Sequence, residues 1–301
     1  MENKGFKSGF VTLIGRPNVG KSTLMNQIIG QKIAIMSDKA QTTRNKIQGV
    51  YTRPDAQIVF MDTPGVHKPK HALGDFMVKT AYSAIQGVDA VLVLVNAAEK
   101  MGPGDRFVLD RVRDLKIPVC LVVNKIDLID KTQLMPIIDQ YTQEYPFDEV
   151  FPISALTGES VDRLLERLVE LMPQGPQYYP ADQVVDHPEY FLVSELIREQ
   201  VLFRTREEVP HSVAVSVQSM QKNEEDEVEV LATIIVERKS QKGILIGAQG
   251  KMIKEIKRGA KREIEALLGS KVYLDLWVKV QKNWRDRQSQ LNDFGYRPDD
   301  Y

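Results

Sequence analysis

The run Gly15-Arg16-Pro17-Asn18-Val19-Gly20-Lys21-Ser22 constrains this chain more than any other feature. It fits the pattern GxxxxGK[ST] and stands where that pattern has a physical purpose. Before it, the short apolar run Phe10 to Ile14 reads as a buried strand; behind it, Lys21 to Ile29 carries apolar residues at helical spacing. Glycines at both ends let the backbone curl so that its N–H groups converge on phosphate oxygens at a helix N-terminus, where the helix dipole also favours negative charge. Lys21 is placed to reach the β- and γ-phosphates, and the Ser22 hydroxyl, followed by Thr23, to meet a magnesium ion.

The next 150 residues repeat the alternation. Gln57 to Met61, Ala90 to Val95 and Pro118 to Val123 read as buried strands, and Leu73 to Ile85, Gly104 to Leu115 and Val161 to Met172 as helices. Lys46 to Thr52 reads as a strand at one edge. This is the order of an α/β fold whose mostly parallel sheet is covered on both faces.

Four more motifs fall at strand ends or between strands. Asp62-Thr63-Pro64-Gly65 closes the second buried strand, where an aspartate can hold a magnesium-bound water and the Gly65 N–H can approach a γ-phosphate. Asn124-Lys125-Ile126-Asp127 follows the fourth. Guanine presents a ring N–H and an exocyclic amine as parallel donors, which one carboxylate can accept together; adenine lacks that pair, so Asp127 reads as the base selector. Asn124 would tie the loop, the Lys125 stem would cover the purine, and Ser154-Ala155-Leu156 would offer a backbone N–H to the guanine O6. In Gln41-Thr42-Thr43-Arg44 a threonine hydroxyl, Thr43 in preference to Thr42, can complete the magnesium shell when a γ-phosphate is present, which makes this loop a switch.

These motifs, in this order, resemble a small GTPase domain from Phe10 to about Met172, and the GRPNVGKS, TTR and DTPG segments resemble the translation-factor-like GTPases. One position departs from the signalling members. Val66 follows the DxxG glycine where a glutamine would position the attacking water, and valine cannot hydrogen-bond, so unaided hydrolysis is expected to be slow. Resemblance to GTPases with an apolar residue there implies that Asn18 helps to bind a potassium ion and acts beside Lys21 in catalysis.

From Pro173 to Pro188 the periodicity stops in a proline-rich stretch that reads as a linker. Beyond it come a helix (Tyr190 to Phe203), two alternating strands (Ser212 to Gln218, Val228 to Val236), a glycine turn, a basic helix (Lys251 to Leu268) and a last strand (Val272 to Val280), the order αββααβ of a smaller α+β domain. The overall net charge of −1 conceals an uneven distribution: Arg238 to Arg285 holds 13 lysines and arginines against 4 acidic residues. Ile246-Gly247-Ala248-Gln249-Gly250-Lys251 places a GxxG turn before the basic helix, whose stripe of Met252, Ile256, Ala260 and Ile264 reads as core while Lys254, Lys257, Arg258 and Lys261 occupy other faces. Glycines admit a nucleic-acid backbone and the helix supplies charge for its phosphates. Turn, charge and element order together resemble a bacterial-type KH domain over about Glu189 to Arg285, which implies binding of single-stranded RNA. The expected organisation is a GTPase domain over 1–172, a linker over 173–188, a KH domain over 189–285 and a tail, 286–301, without a readable motif.

A GTPase domain followed by a KH domain resembles a family of bacterial ribosome-assembly GTPases. That resemblance implies GTP hydrolysis with magnesium, RNA binding gated by the nucleotide, 16S rRNA near its 3′ end as partner during small-subunit maturation, and a cytoplasmic protein with peripheral contact to the inner face of the membrane. A nucleotide-gated scaffold docking on a protein or an anionic membrane surface is the alternative. The lone Cys120 lies in an apolar run, which points to a reducing compartment, and the four histidines show no zinc spacing. The sequence has no apolar window of membrane-spanning length and no secretory leader ahead of the phosphate loop, and a monomer is expected.

Overall fold

The β-branched runs of the first half become neighbouring strands because each is apolar on both faces and can be covered on both only inside a sheet flanked by helices. The computed structural model describes residues 5–39, 41–66, 69 and 71–297. His67 and the two chain ends lie outside them. The described chain groups into two units: 5–34, 43–66 and 77–186 form the first, and 35–42, 69–76 and 187–297 the second.

In chain order the elements of the first half are β1 (Lys7–Gly15), α1 (Lys21–Ile29), β2 (Ile47–Arg53), β3 (Ala56–Asp62), α2 (Ala72–Ser83), β4 (Ala90–Asn96), α3 (Pro103–Val112), β5 (Val119–Asn124), α4 (Lys131–Glu144), β6 (Glu149–Pro152) and α5 (Val161–Leu171). The strands form one six-stranded sheet in the order β2-β3-β1-β4-β5-β6, parallel except for the edge strand β2. One face packs on α1 and α5 through residues such as Leu13, Leu24, Phe60 and Leu164, the other on α2 to α4 through Ile14, Val93, Leu109 and Tyr141. Cys120 belongs to the first of these cores, and burial pushes its thiol up to about 12, the state of an inert core residue.

The proline-rich stretch is fastened to this sheet. Val50 N–H donates to the Val184 carbonyl at 2.9 Å, and the buried Gln57 amide accepts from the Tyr178 and Tyr179 N–H groups at 2.7 and 2.9 Å while donating to the Tyr179 carbonyl. One glutamine side chain thus replaces a strand partner for residues whose prolines forbid a regular ladder.

The second half holds α6 (Glu189–Arg204), α7 (Val209–Ser212), β7 (Ala214–Lys222), β8 (Val228–Val236), α8 (Lys239–Ile246), α9 (Lys251–Leu268), β9 (Val272–Val280) and α10 (Gln288–Asp293). β7 pairs antiparallel with β8 through a bulge between Val217 and Ser219, and β8 pairs parallel with β9, which forms an edge. The segment after β9 is anchored by two aromatic residues. Trp284 is fully buried, donates from Nε1 to the Ser212 carbonyl at 2.9 Å, and stacks on Tyr296. Among the described residues no helix is long and apolar enough to cross a membrane, and none of the His, Cys, Asp and Glu side chains cluster in a group able to hold a metal.

Candidate functional site

Four of the motifs read in the sequence lie at the C-terminal ends of parallel strands: the GxxxxGKS loop after β1, Asp62-Gly65 after β3, Asn124-Asp127 after β5 and Ser154-Leu156 after β6. That edge is where an open α/β sheet presents its ligands.

The loop between β1 and α1 curls through left-handed residues, Asn18 at φ 64° and Gly20 at φ 101°. Gly20 has no alternative, because a Cβ there would lie 2.2 Å from Asn124 Nδ2. Asn124 fills that space for a reason. Its amide donates to the Val19 carbonyl at 2.8 Å and accepts from the Ala155 N–H at 2.9 Å, so one buried side chain fixes the phosphate loop and the Ser154 loop together. Asn124→Ala leaves both backbone groups without their partner; the expected cost is about 2–4 kcal/mol of stability, read as a lower urea midpoint, with GTP affinity down about tenfold or more because the loop loses its pre-set shape. An unchanged midpoint would contradict the tether.

Three candidate metal ligands from three elements converge. Ser22 Oγ donates to Asp62 Oδ2 at 2.6 Å, Thr43 Oγ1 donates to the same oxygen at 3.2 Å, and the two hydroxyls are 2.9 Å apart. Asp62 is fully buried, and its other oxygen, Oδ1, has no hydrogen-bond partner among the described residues. An orphaned buried carboxylate oxygen beside two hydroxyls is a hard oxygen donor set, which fits magnesium. Burial pushes the Asp62 carboxyl up, opposed by the Lys21 ammonium and the Ser22 and Thr43 hydroxyls. Lys21, also buried, is pushed down to about 8 by burial, with the Asp62 charge opposing; its ammonium donates to the Arg16 and Gly15 carbonyls at 3.1 and 3.3 Å. The two charges support each other against burial, and a phosphate beside the lysine or a divalent cation beside the aspartate would add to that support.

Other named residues have structural duties. The Thr63 hydroxyl donates to the Leu13 carbonyl at 2.7 Å and anchors the Asp62-Gly65 loop to β1. Gly65 packs against the phosphate loop so closely that a Cβ would meet the Pro17 Cα at 2.7 Å, and the Val66 N–H donates to the Gly15 carbonyl at 3.2 Å. Arg16 turns away to pair with Asp105 at 3.0 Å and Glu99 at 3.3 Å. Thr42 Oγ1 donates to the Lys39 carbonyl at 2.7 Å, so Thr43 is the threonine beside Ser22 and Asp62. Lys125 Nζ donates to the Asn18 carbonyl at 2.8 Å, so its stem bridges the Asn124-Asp127 turn and the phosphate loop. Asp127 sits in a single turn, Ile126–Leu128, exposed to solvent; Ala155 is buried and Leu156 is 74% exposed.

In the second unit, Gly247 (φ 70°), Gln249 (φ 53°) and Gly250 (φ 74°) build the turn before α9. A Cβ at Gly247 would lie 2.9 Å from the Met252 nitrogen, whereas Ala248 and Gln249 are open to solvent. Ile256, Ala260 and Ile264 are buried, and Lys251, Lys254, Arg258 and Lys261 are turned outward. A groove of about 690 Å³ runs beside the turn, lined among others by Lys239, Lys242, Ile246, Trp277 and Lys279. Of these only Ile246 stands out in the sequence as a candidate. The others come together because β9 pairs next to β8 and packs against α8, although the outward positions of β9 (Tyr273, Asp275, Trp277, Lys279) do alternate visibly along the strand.

Comparison with known proteins agrees with this fold. A family model described as a 50S ribosome-binding GTPase matches residues 10–125, and one described as a KH domain matches 208–285. Over 97% of its length the chain is similar, at 39% identity and a TM-score of 0.93, to a single-residue variant of Aquifex aeolicus Era bound to GDP and AlF4⁻, and the match spans 99% of that protein. A second Era structure, in complex with MgGDPNP and nucleotides 1506–1542 of 16S ribosomal RNA, matches at the same identity and coverage with a TM-score of 0.94. This chain belongs to the Era family. It is a GTPase with a mostly parallel six-stranded α/β sheet and a smaller KH domain.

Proposed function

We propose that this Era-family GTPase binds the 3′ end of 16S rRNA during small-subunit assembly, that GTP and magnesium set its affinity for that RNA, and that hydrolysis resets it. The observation that carries the gating is the place of residues 35–42, the run leading directly into Thr43. Ile35 is buried in the core of the second unit, the Met36 N–H donates to Glu199 Oε1 at 2.9 Å, and the buried Arg198 guanidinium donates to the Gln41 and Thr42 carbonyls while it is paired with Glu195. A hydroxyl that meets the metal only with the γ-phosphate present is thus one peptide bond from a segment held by helix α6, the first helix of the RNA-binding half.

At the nucleotide, Ser22, Thr43 and Asp62 would hold magnesium, which supplies neutralisation of charge developing on the phosphates. The loop N–H groups and Lys21 bind and orient the same phosphates, and Asp127, covered by the purine when it binds, accepts both guanine donors. Val66 is buried and its N–H is engaged by Gly15, so it holds no water. The proposed substitute is a potassium ion at Asn18, an exposed residue with left-handed backbone inside the phosphate loop. Turnover is then expected to be about tenfold or more faster in potassium than in sodium at matched ionic strength, a fraction of what a cationic finger supplies; equal rates would remove the ion from the mechanism.

For the RNA, the turn at Gly247 and Gly250 admits the backbone and the α9 lysines meet its phosphates. Titrating the chain with the 1506–1542 segment of 16S rRNA tests the reading: saturable binding that weakens steeply with salt is expected, and absence of binding would end it.

A further inference from the structure

Two large aromatic side chains on the RNA-binding half are spent on solvent. Trp277 is 66% exposed and Tyr273 57% exposed, while the other tryptophan, Trp284, is fully buried. They lie four residues apart on the outward side of β9, which alternates with the inward residues Val272, Leu274 and Leu276. Neither is a loose surface residue. The Trp277 Nε1 donates to Asp275 Oδ2 at 3.0 Å, which fixes the indole without burying it, and the Lys257 ammonium sits 5.4 Å from the centre of the Tyr273 ring. Trp277 shares its groove with Lys239, Lys242, Lys279 and Ile246, the residue before Gly247. The groove therefore reaches to within one residue of the GxxG turn.

We propose, on top of the RNA-binding reading above, that Trp277 and Tyr273 are successive stacking platforms for unpaired bases, extending the RNA site along edge strand β9 beyond the nucleotides held at the GxxG turn. Every base has a π-face, so an exposed, pre-oriented indole takes any of them, and neighbouring lysines hold the phosphates that connect them. The two rings stand about 13 Å apart along the strand, several times the roughly 3.4 Å between stacked nucleotides of one strand, so they receive bases that are not neighbours and the RNA between them is drawn out. The lysines around both rings also set the occupant apart from a basic protein segment, which they would repel.

The test uses the full chain, the 16S rRNA segment 1506–1542 and four-nucleotide fragments tiled across it. GxxG alone accounts for about four nucleotides, so the tightest-binding fragment probes that clamp and the long segment probes the platforms as well. Trp277→Leu is expected to weaken the long segment about tenfold and leave the short fragment unchanged, with Trp277→Phe recovering most of the loss. Wild-type fluorescence gives a second reading that needs no variant: with Trp284 buried, the long segment should quench the exposed Trp277 and the short fragment should not. Equal loss on long and short RNA, no loss on either, or no quenching by the long segment would each overturn the platforms while leaving RNA binding in place. Failure of wild type to bind either RNA would overturn both.

Discussion

Replacing Asp127 with asparagine is expected to lower the affinity for GTP about a hundred- to a thousandfold, some 3–4 kcal/mol, and to raise the affinity for xanthosine triphosphate. The reason is donor and acceptor counting. A carboxylate accepts both guanine donors with charge assistance; an asparagine amide accepts one and turns its own N–H₂ towards the other, so a lost bond is compounded by two donors facing each other. Xanthine has a carbonyl where guanine has its amine, and that carbonyl accepts from the new amide. The side chain is exposed, and Asn124, which shapes the turn, keeps both its bonds to Val19 and Ala155, so the fold should be untouched. Calorimetry with GTP, ATP and xanthosine triphosphate checks it. A variant that binds GTP as wild type does, or a wild type that binds ATP equally well, would remove Asp127 as the base selector.

A comparable loss is expected in the half that carries the KH domain. Ala248→Asp combined with Gln249→Asp should weaken binding of the 16S rRNA segment by more than about a hundredfold at physiological salt, since on the proposed reading two carboxylates would face the RNA backbone phosphates at the turn. These positions are better probes than the glycines. A side chain at Gly247 would collide with the Met252 backbone and distort α9, so lost binding there would say little, whereas 248 and 249 are open to solvent and aspartate tolerates the left-handed φ of Gln249. GTP turnover and the unfolding midpoint should stay at wild-type values. Full RNA affinity in this variant would place the RNA elsewhere.

The candidate nucleotide site was legible because its motifs are local: each is a short run at the end of one strand, and the parallel sheet brings those ends together by its topology alone. The convergence of Ser22, Thr43 and Asp62 follows from that. Helix α4 was not legible, although Leu134, Ile137, Ile138 and Tyr141 stand at helical spacing and pack on the core; Pro136 inside the run reads as a helix breaker and hides the pattern. The stretch from 173 to 188 reads as a linker because prolines break the pattern, while it is fastened in part by the side chain of Gln57, more than a hundred residues earlier. Trp284 and Tyr296 look like isolated aromatics until folding stacks them. Nor does any local signal join 35–42 to Arg198, a contact made across more than 150 residues of chain.

That contact leads to the central claim, and one titration tests it most directly. Affinity for the 1506–1542 RNA segment is measured with magnesium and saturating GDP, then with magnesium and a non-hydrolysable GTP analogue. The two constants are expected to differ by about five- to 150-fold, the 1–3 kcal/mol of an ordinary coupling between two sites, and the difference should vanish when Glu195→Gln, Glu199→Gln and Arg198→Met together release the Thr42 carbonyl and neutralise both buried carboxylates that face the guanidinium. Identical RNA affinity in the two nucleotide states of the wild type would contradict the gate, and the chain would then hold two binding activities that do not speak to each other.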